Sequence, residues 1–314
     1  MKCAYCGKET NCTKEHIISS SILDLFPECY ITYDGNRNNL YQADPVIKDV
    51  CATCNKHRIS YIDSYAKRFI GKYFTCNYSE KDNVEIEYNY TLIQKMLLKY
   101  AYNDLRSNKE DCSFFDEEIL HYILNESDDS PKLNVTVLCG LAVNDSPIPG
   151  EMFGNLKIRW CQNPIFFSDS VVKYINYETG AFEFNDNIAT LIQSFDDLKL
   201  SYVFKFNSVQ FLLMCWKKDS NKIIKNNLIL SQYYPYHLMK INEKNAEIPV
   251  CTNEINYFEF NQIHVKWDKL FFIQFMRKRA CGGKYTFKEM SHKEWEKEEE
   301  QLRKKHPRKR NHKK

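Results

Sequence analysis

Two cysteine pairs stand out in the sequence: Cys3-Ala-Tyr-Cys6 followed by Gly7, and Cys51-Ala-Thr-Cys54 followed by Asn55. They are separated by 44 residues. A Cys-x-x-Cys turn sets two thiolates on one side of a tight bend, and two such turns saturate a tetrahedral ion. The spacing therefore predicts one structural zinc held by Cys3, Cys6, Cys51 and Cys54. Gly7 suits the left-handed residue that such a knuckle often needs. Cys12 lies close enough to be an alternative ligand and reads as a spectator. Between the pairs runs Thr13-Lys14-Glu15-His16-Ile17. A site of four cysteines is closed and offers no open position for chemistry, so an acid beside a histidine needs another reason.

Knuckle, intervening strands, second knuckle and following helix together read as a treble-clef zinc module. With Lys14-Glu15-His16-Ile17 and Asn55 added, residues 1–70 resemble the HNH (ββα-metal, His-Me finger) nucleases. The resemblance implies that His16 is the general base that takes a proton from an attacking water, and its ordinary pKa of about 6.5 suits that work. It further implies that Glu15 binds a divalent cation, Mg2+ or Mn2+, with Asn55 as a second ligand. Such a cation would stabilise the phosphate and the leaving oxygen in phosphodiester hydrolysis. Many members carry aspartate before the histidine and histidine after the second pair; Glu15 and Asn55 still offer oxygen to a hard cation. On a regular helix His57 lies about 200° around from Asn55, and Asp63 lies ~12 Å further along the axis. His57 then faces away, and Asp63 reads as a supporting or salt-bridged acid. Asn36, Asn38 and Asn39, in Gly35-Asn-Arg-Asn-Asn-Leu40, suit either a plain turn or the family's middle asparagine.

The elements that position these residues follow from the pattern. Cys29–Tyr33 alternates like a strand and stops at Asp34-Gly35. Residues 56–75 form a basic amphipathic helix, with Lys56, His57, Arg58, Lys67, Arg68 and Lys72 suited to backbone phosphates. Tyr78–Asn83 reads as a linker. Beyond it, residues 91–107 predict an amphipathic helix and 116–125 a shorter one, closed by Ser127-Asp-Asp-Ser-Pro131. Strands are expected at 133–138, 156–160, 182–185, 198–206 and 209–216. Segments 223–230, 257–260 and 270–276 are open between strand and short helix. His121, His237 and His264 stand apart from any carboxylate or cysteine pattern and read as structural. Tyr233, Tyr234 and Tyr236 read as packing residues that also suit base stacking.

The 314 residues give room for a sizeable core. No secretory h-region opens the chain, and no run of 18 apolar residues occurs, so a cytoplasmic protein with reduced thiols and no membrane contact is expected. The net charge is +3, yet eight of the last twelve residues are Lys or Arg and none is acidic. The rest of the chain is thus acidic, and Arg303–Lys314 reads as a phosphate-binding arm behind a charged helix at 291–305. The expected fold class is α+β, with a treble-clef/ββα-metal zinc module at 1–77, a mixed α+β domain at 84–290 and a charged tail at 291–314. The expected function is a metal-dependent endonuclease acting on DNA, most naturally double-stranded, in restriction or phage defence. The alternatives are a non-catalytic zinc module that binds nucleic acid, and a nuclease effector gated by a ligand. Oligomerisation or a partner is assigned to 84–290.

Overall fold

A computed structural model describes residues 1–27, 43–79, 81–142, 158–162, 195–233 and 236–251, with the backbone of four further strands. The segments expected at 257–260, 270–276 and 291–314, and Asn36 and Asn38, lie outside the described residues. The chain begins β1 (Cys12–His16), α1 (Ser20–Leu23), β2 (Thr32–Asp34), β3 (Asn39–Tyr41) and β4 (Val46–Cys51). A π-helical turn, Cys54–Arg58, precedes α2 (Ser60–Tyr73). Next come β5 (Val84–Glu87), α3 (Tyr90–Asn108), α4 (Glu117–Leu124), β6 (Val135–Leu141), β7 (Ile158–Gln162), β8 (Val172–Ile175) and β9 (Phe182–Phe184). The described part closes with β10 (Leu198–Phe206), β11 (Val209–Trp216), α5 (Ile223–Tyr233), β12 (His237–Leu238) and β13 (Asn245–Ile248). This is the mixed α and β chain that the patterning predicts.

The cysteine module is a hairpin with a helix behind it. β1 and β4 pair antiparallel, Cys12 opposite Cys51 and His16 opposite Val46, with a bulge between Thr13 and Glu15. The second knuckle does not lead into one continuous helix. The π turn ends at Arg58, Ile59 stands between the two with φ −117° and ψ −7°, and α2 starts at Ser60. Cys54 at the start of the turn and Ile59 just after it are both fully buried. A rotation of ~100° per residue therefore does not carry from Asn55 to Asp63.

α3 is the hub of the molecule. Asn89 caps it, its side chain accepting from Leu92 N–H, and Lys109 ends it in a left-handed conformation with φ 59°. It is buried from Tyr90 to Leu105 except at Leu92. One face packs on α2 and the cysteine hairpin. The other packs on a five-stranded antiparallel sheet of order β12-β6-β11-β10-β7. Tyr100 meets Phe204 and Phe206 of β10 edge-on, and Phe69 of α2 meets Phe211 of β11. Each such buried ring contributes about 1.5–3 kcal/mol. β10 and β11 are buried along nearly their whole length because the sheet is covered twice. On its far face Leu138, Leu212 and Trp216 form a second cluster with Leu230 of α5 and with Cys251. There the chain passes so near β6 that a Cβ at Gly140 would lie 2.4 Å from Cys251 Cβ.

Contacts tie the sheet to the cysteine module across residues 78–83. The β10–β11 turn, Asn207-Ser208, donates from its side chains to Phe74 O and Cys76 O and so holds the chain just past the end of α2. The main apolar core runs without interruption from Cys3 to Ile248.

Candidate functional site

The first knuckle is closed by its backbone. Gly7 N–H donates to Cys3 O at 2.9 Å, and Gly7 takes φ +70°, the conformation expected of it. The side-chain sulfurs of Cys3, Cys6, Cys51 and Cys54 all lie within 4.8 Å of one another. Four sulfurs around a zinc at ~2.3 Å stand about 3.8 Å apart, and Cys6 and Cys51 are already 3.9 Å apart. Backbone N–H groups point at the sulfurs, from Cys51 to Cys3 and from Cys54 to Cys51. Burial raises the Cys3 thiol, but the N–H groups of Cys51, Cys6 and Tyr5 outweigh it and bring the pKa down to about 7. Burial raises Cys6 and Cys54; a positive ion is what allows buried thiols to ionise together. Four thiols in this geometry fit a metal ion such as zinc. Cys12 stands apart, its thiol directed at the carbonyls of Met1 and Thr10.

Beside this centre the hairpin holds Glu15 and His16 on opposite faces of β1, as successive strand residues must be. Glu15 points inward and is 4 % exposed. It forms an ion pair at 2.9 Å with Lys99 of α3, which has no exposed surface. The Lys99 ammonium also donates to both carboxylate oxygens of Asp63 on α2, at 2.6 and 2.8 Å. Burial lowers the Lys99 pKa, and Asp63 and Glu15 reverse this and hold it above its ordinary value. One cation is thus shared by two carboxylates. Asp63 is the salt-bridged acid that its sequence position suggests, and the second acid on the same ammonium, Glu15, is the residue that the nuclease resemblance assigns to metal.

His16 points outward, a third of its side chain exposed, with Nε2 3.9 Å from Asp44 Oδ2. That is an electrostatic approach rather than a hydrogen bond. The backbone behind it is fixed, because Asn103 of α3 donates to His16 O at 2.9 Å and Ile17 N–H to Pro45 O at 3.0 Å. Asn55 lies in the π turn. Its Nδ2 donates to Thr13 Oγ1 at 3.1 Å and to Lys14 O at 2.9 Å. The turn after the second cysteine pair is thereby fastened to the strand that carries Glu15 and His16. Lys56 and His57 are exposed beside it.

Sequence spacing does not expose the residues that α3 contributes. Lys99, Asn103 and Arg106 follow one stripe of the helix and reach Glu15, the His16–Ile17 carbonyls and Asp49, respectively. Asn103 also accepts from the Tyr5 hydroxyl at 2.8 Å. The signal, in hindsight, is a run of long polar side chains at spacings of four, four and three (Lys95, Lys99, Asn103, Arg106) in a helix otherwise rich in apolar residues.

His237 does find an acid in the structure. Its Nε2 lies 2.6 Å from Glu243 Oε2, which also accepts from the Tyr88 hydroxyl at 2.7 Å, and so the β12–β13 loop is tied to the residue after β5. Tyr236 is buried and its hydroxyl accepts from Gln210 at 2.6 Å, a packing role. Among the described residues no helix is long and apolar enough to cross a membrane. No family model, curated protein or solved structure matches the chain.

Proposed function

We propose that the protein is a metal-dependent endonuclease of the HNH type whose substrate is DNA, most naturally double-stranded. The observation that carries this reading is the way Asn55 is tied to β1, the strand that ends in the half-exposed His16 facing Asp44. A zinc module that only binds nucleic acid has no use for that set. His16, with its backbone held by Asn103, takes the proton from an attacking water. Glu15, one carboxylate oxygen of which faces Lys99, would be one ligand of a hard cation. Asn55, with its amide nitrogen fixed on β1, would offer its oxygen as the second ligand. This oxygen donor set fits Mg2+ or Mn2+ that retains several waters. Such a cation supplies Lewis-acid stabilisation of the phosphate when bound. Zinc would only hold the scaffold.

A second reading is favoured by one observation: Glu15 is buried and already paired with Lys99. In that case Glu15 is structural and the module binds nucleic acid without cutting it. Incubation of supercoiled and linear duplex DNA with the purified protein, in Mg2+, in Mn2+ and in EDTA, separates the two. Nicks or breaks that need the added cation support the nuclease. Salt-sensitive binding with intact DNA under all three conditions supports the binding module.

A further inference from the structure

We infer that Lys99 is a positioning residue of the Glu15 site, so that α3, outside the zinc module, completes the site that the module carries. The inference rests on the nuclease reading and deepens it. A carboxylate that is to receive a cation must be held in one orientation, and the groups that hold metal ligands act through charge and hydrogen bonds one layer out. Glu15 meets that requirement through Lys99, whose ammonium is in turn clamped by both oxygens of Asp63. Three elements, β1, α2 and α3, converge on this one ammonium, and none of the three groups is held by neighbours in sequence. Asn103, one turn further along α3, grips the carbonyls of His16 and Ile17. The same helix face thus fixes both the acid and the backbone of the proposed base.

A purely structural salt bridge predicts the same fold but a different response to mutation. The decisive variant is the double exchange Lys99→Gln with Asp63→Asn. It removes one positive and one negative charge, so the local net charge is unchanged and only the grip on Glu15 is lost. The full chain is used, zinc content and thermal unfolding are recorded, and Mn2+ binding is followed directly by electron paramagnetic resonance alongside the Mn2+ dependence of DNA cleavage. The expected result is a folded, zinc-loaded protein whose Mn2+ binding and half-saturating Mn2+ are both weakened about 10–100-fold. Lys99→Arg keeps the charge but places a longer, planar group in a closed space; it is expected to weaken Mn2+ binding less than the double exchange, and it decides the matter if the double variant fails to fold. Wild-type Mn2+ binding in a folded variant of either kind overturns the inference while leaving the nuclease reading intact. A wild-type protein that neither binds Mn2+ nor cleaves overturns both.

Discussion

The cysteine knuckles and the Glu15–Lys99–Asp63 cluster share one hairpin but are built in different ways. In the knuckles each half is local: Cys3 and Cys6, or Cys51 and Cys54, are separated by two residues, the Cys54 N–H points at the Cys51 sulfur of its own turn, and only the Cys51 N–H reaches across to Cys3. In the second cluster every member comes from a different element, and Glu15 and Lys99 are 84 positions apart in sequence. The first can be assembled by an ion with little help from the rest of the chain. The second exists only after α3 has packed. Local sites gain their stability from the ligand, whereas dispersed sites draw it from the fold around them.

That contrast predicts different failures. Replacing Cys51 with Ser should have the largest effect, because structural zinc in small modules is bound with about 10–16 kcal/mol of apparent free energy that is also folding free energy. One zinc per chain is expected in the wild type by elemental analysis. The variant should lose it together with the cooperative unfolding of the N-terminal module. A variant that is zinc-free but unfolds like the wild type would mean that the hairpin is held by α3 alone.

Lys99→Met should act next most strongly, and without touching zinc. It leaves the buried Glu15 carboxylate and the Asp63 carboxylate without their shared cation, which typically costs about 3–5 kcal/mol. Denaturant unfolding should show that loss as a lower midpoint at full zinc content. A loss below about 1 kcal/mol would place the pair with exposed salt bridges and remove the distinction drawn here.

Legibility follows the same line. The cysteine spacing, the left-handed Gly7, α3 and the β10–β11 hairpin were readable because each is fixed by residues within one element. The expected helix at 91–107 appears as Tyr90–Asn108, and strands 198–206 and 209–216 appear with those bounds. What escaped was non-local. β5 pairs with β13, Val84 opposite Ile248, and no short window holds both strands. The segment 223–230 is apolar enough for either period; it becomes α5 because Asn226 and Leu230 share one face, the first donating to Asp197 and the second entering the core. Lys99 was hidden for another reason. A lysine in an amphipathic helix ordinarily marks the solvated face, and only the fold shows that two acids wait for it.

The exposed His16 offers the most direct measurement of all. His16→Ala removes a third-exposed ring whose fixed backbone stays bonded to Asn103, so zinc content and unfolding should match the wild type. Cleavage of duplex DNA in Mn2+, measured as a single-turnover rate, should fall by about 10²–10⁴. A variant that keeps its zinc and its fold and cuts as fast as the wild type would contradict the assignment of this hairpin as a catalytic site.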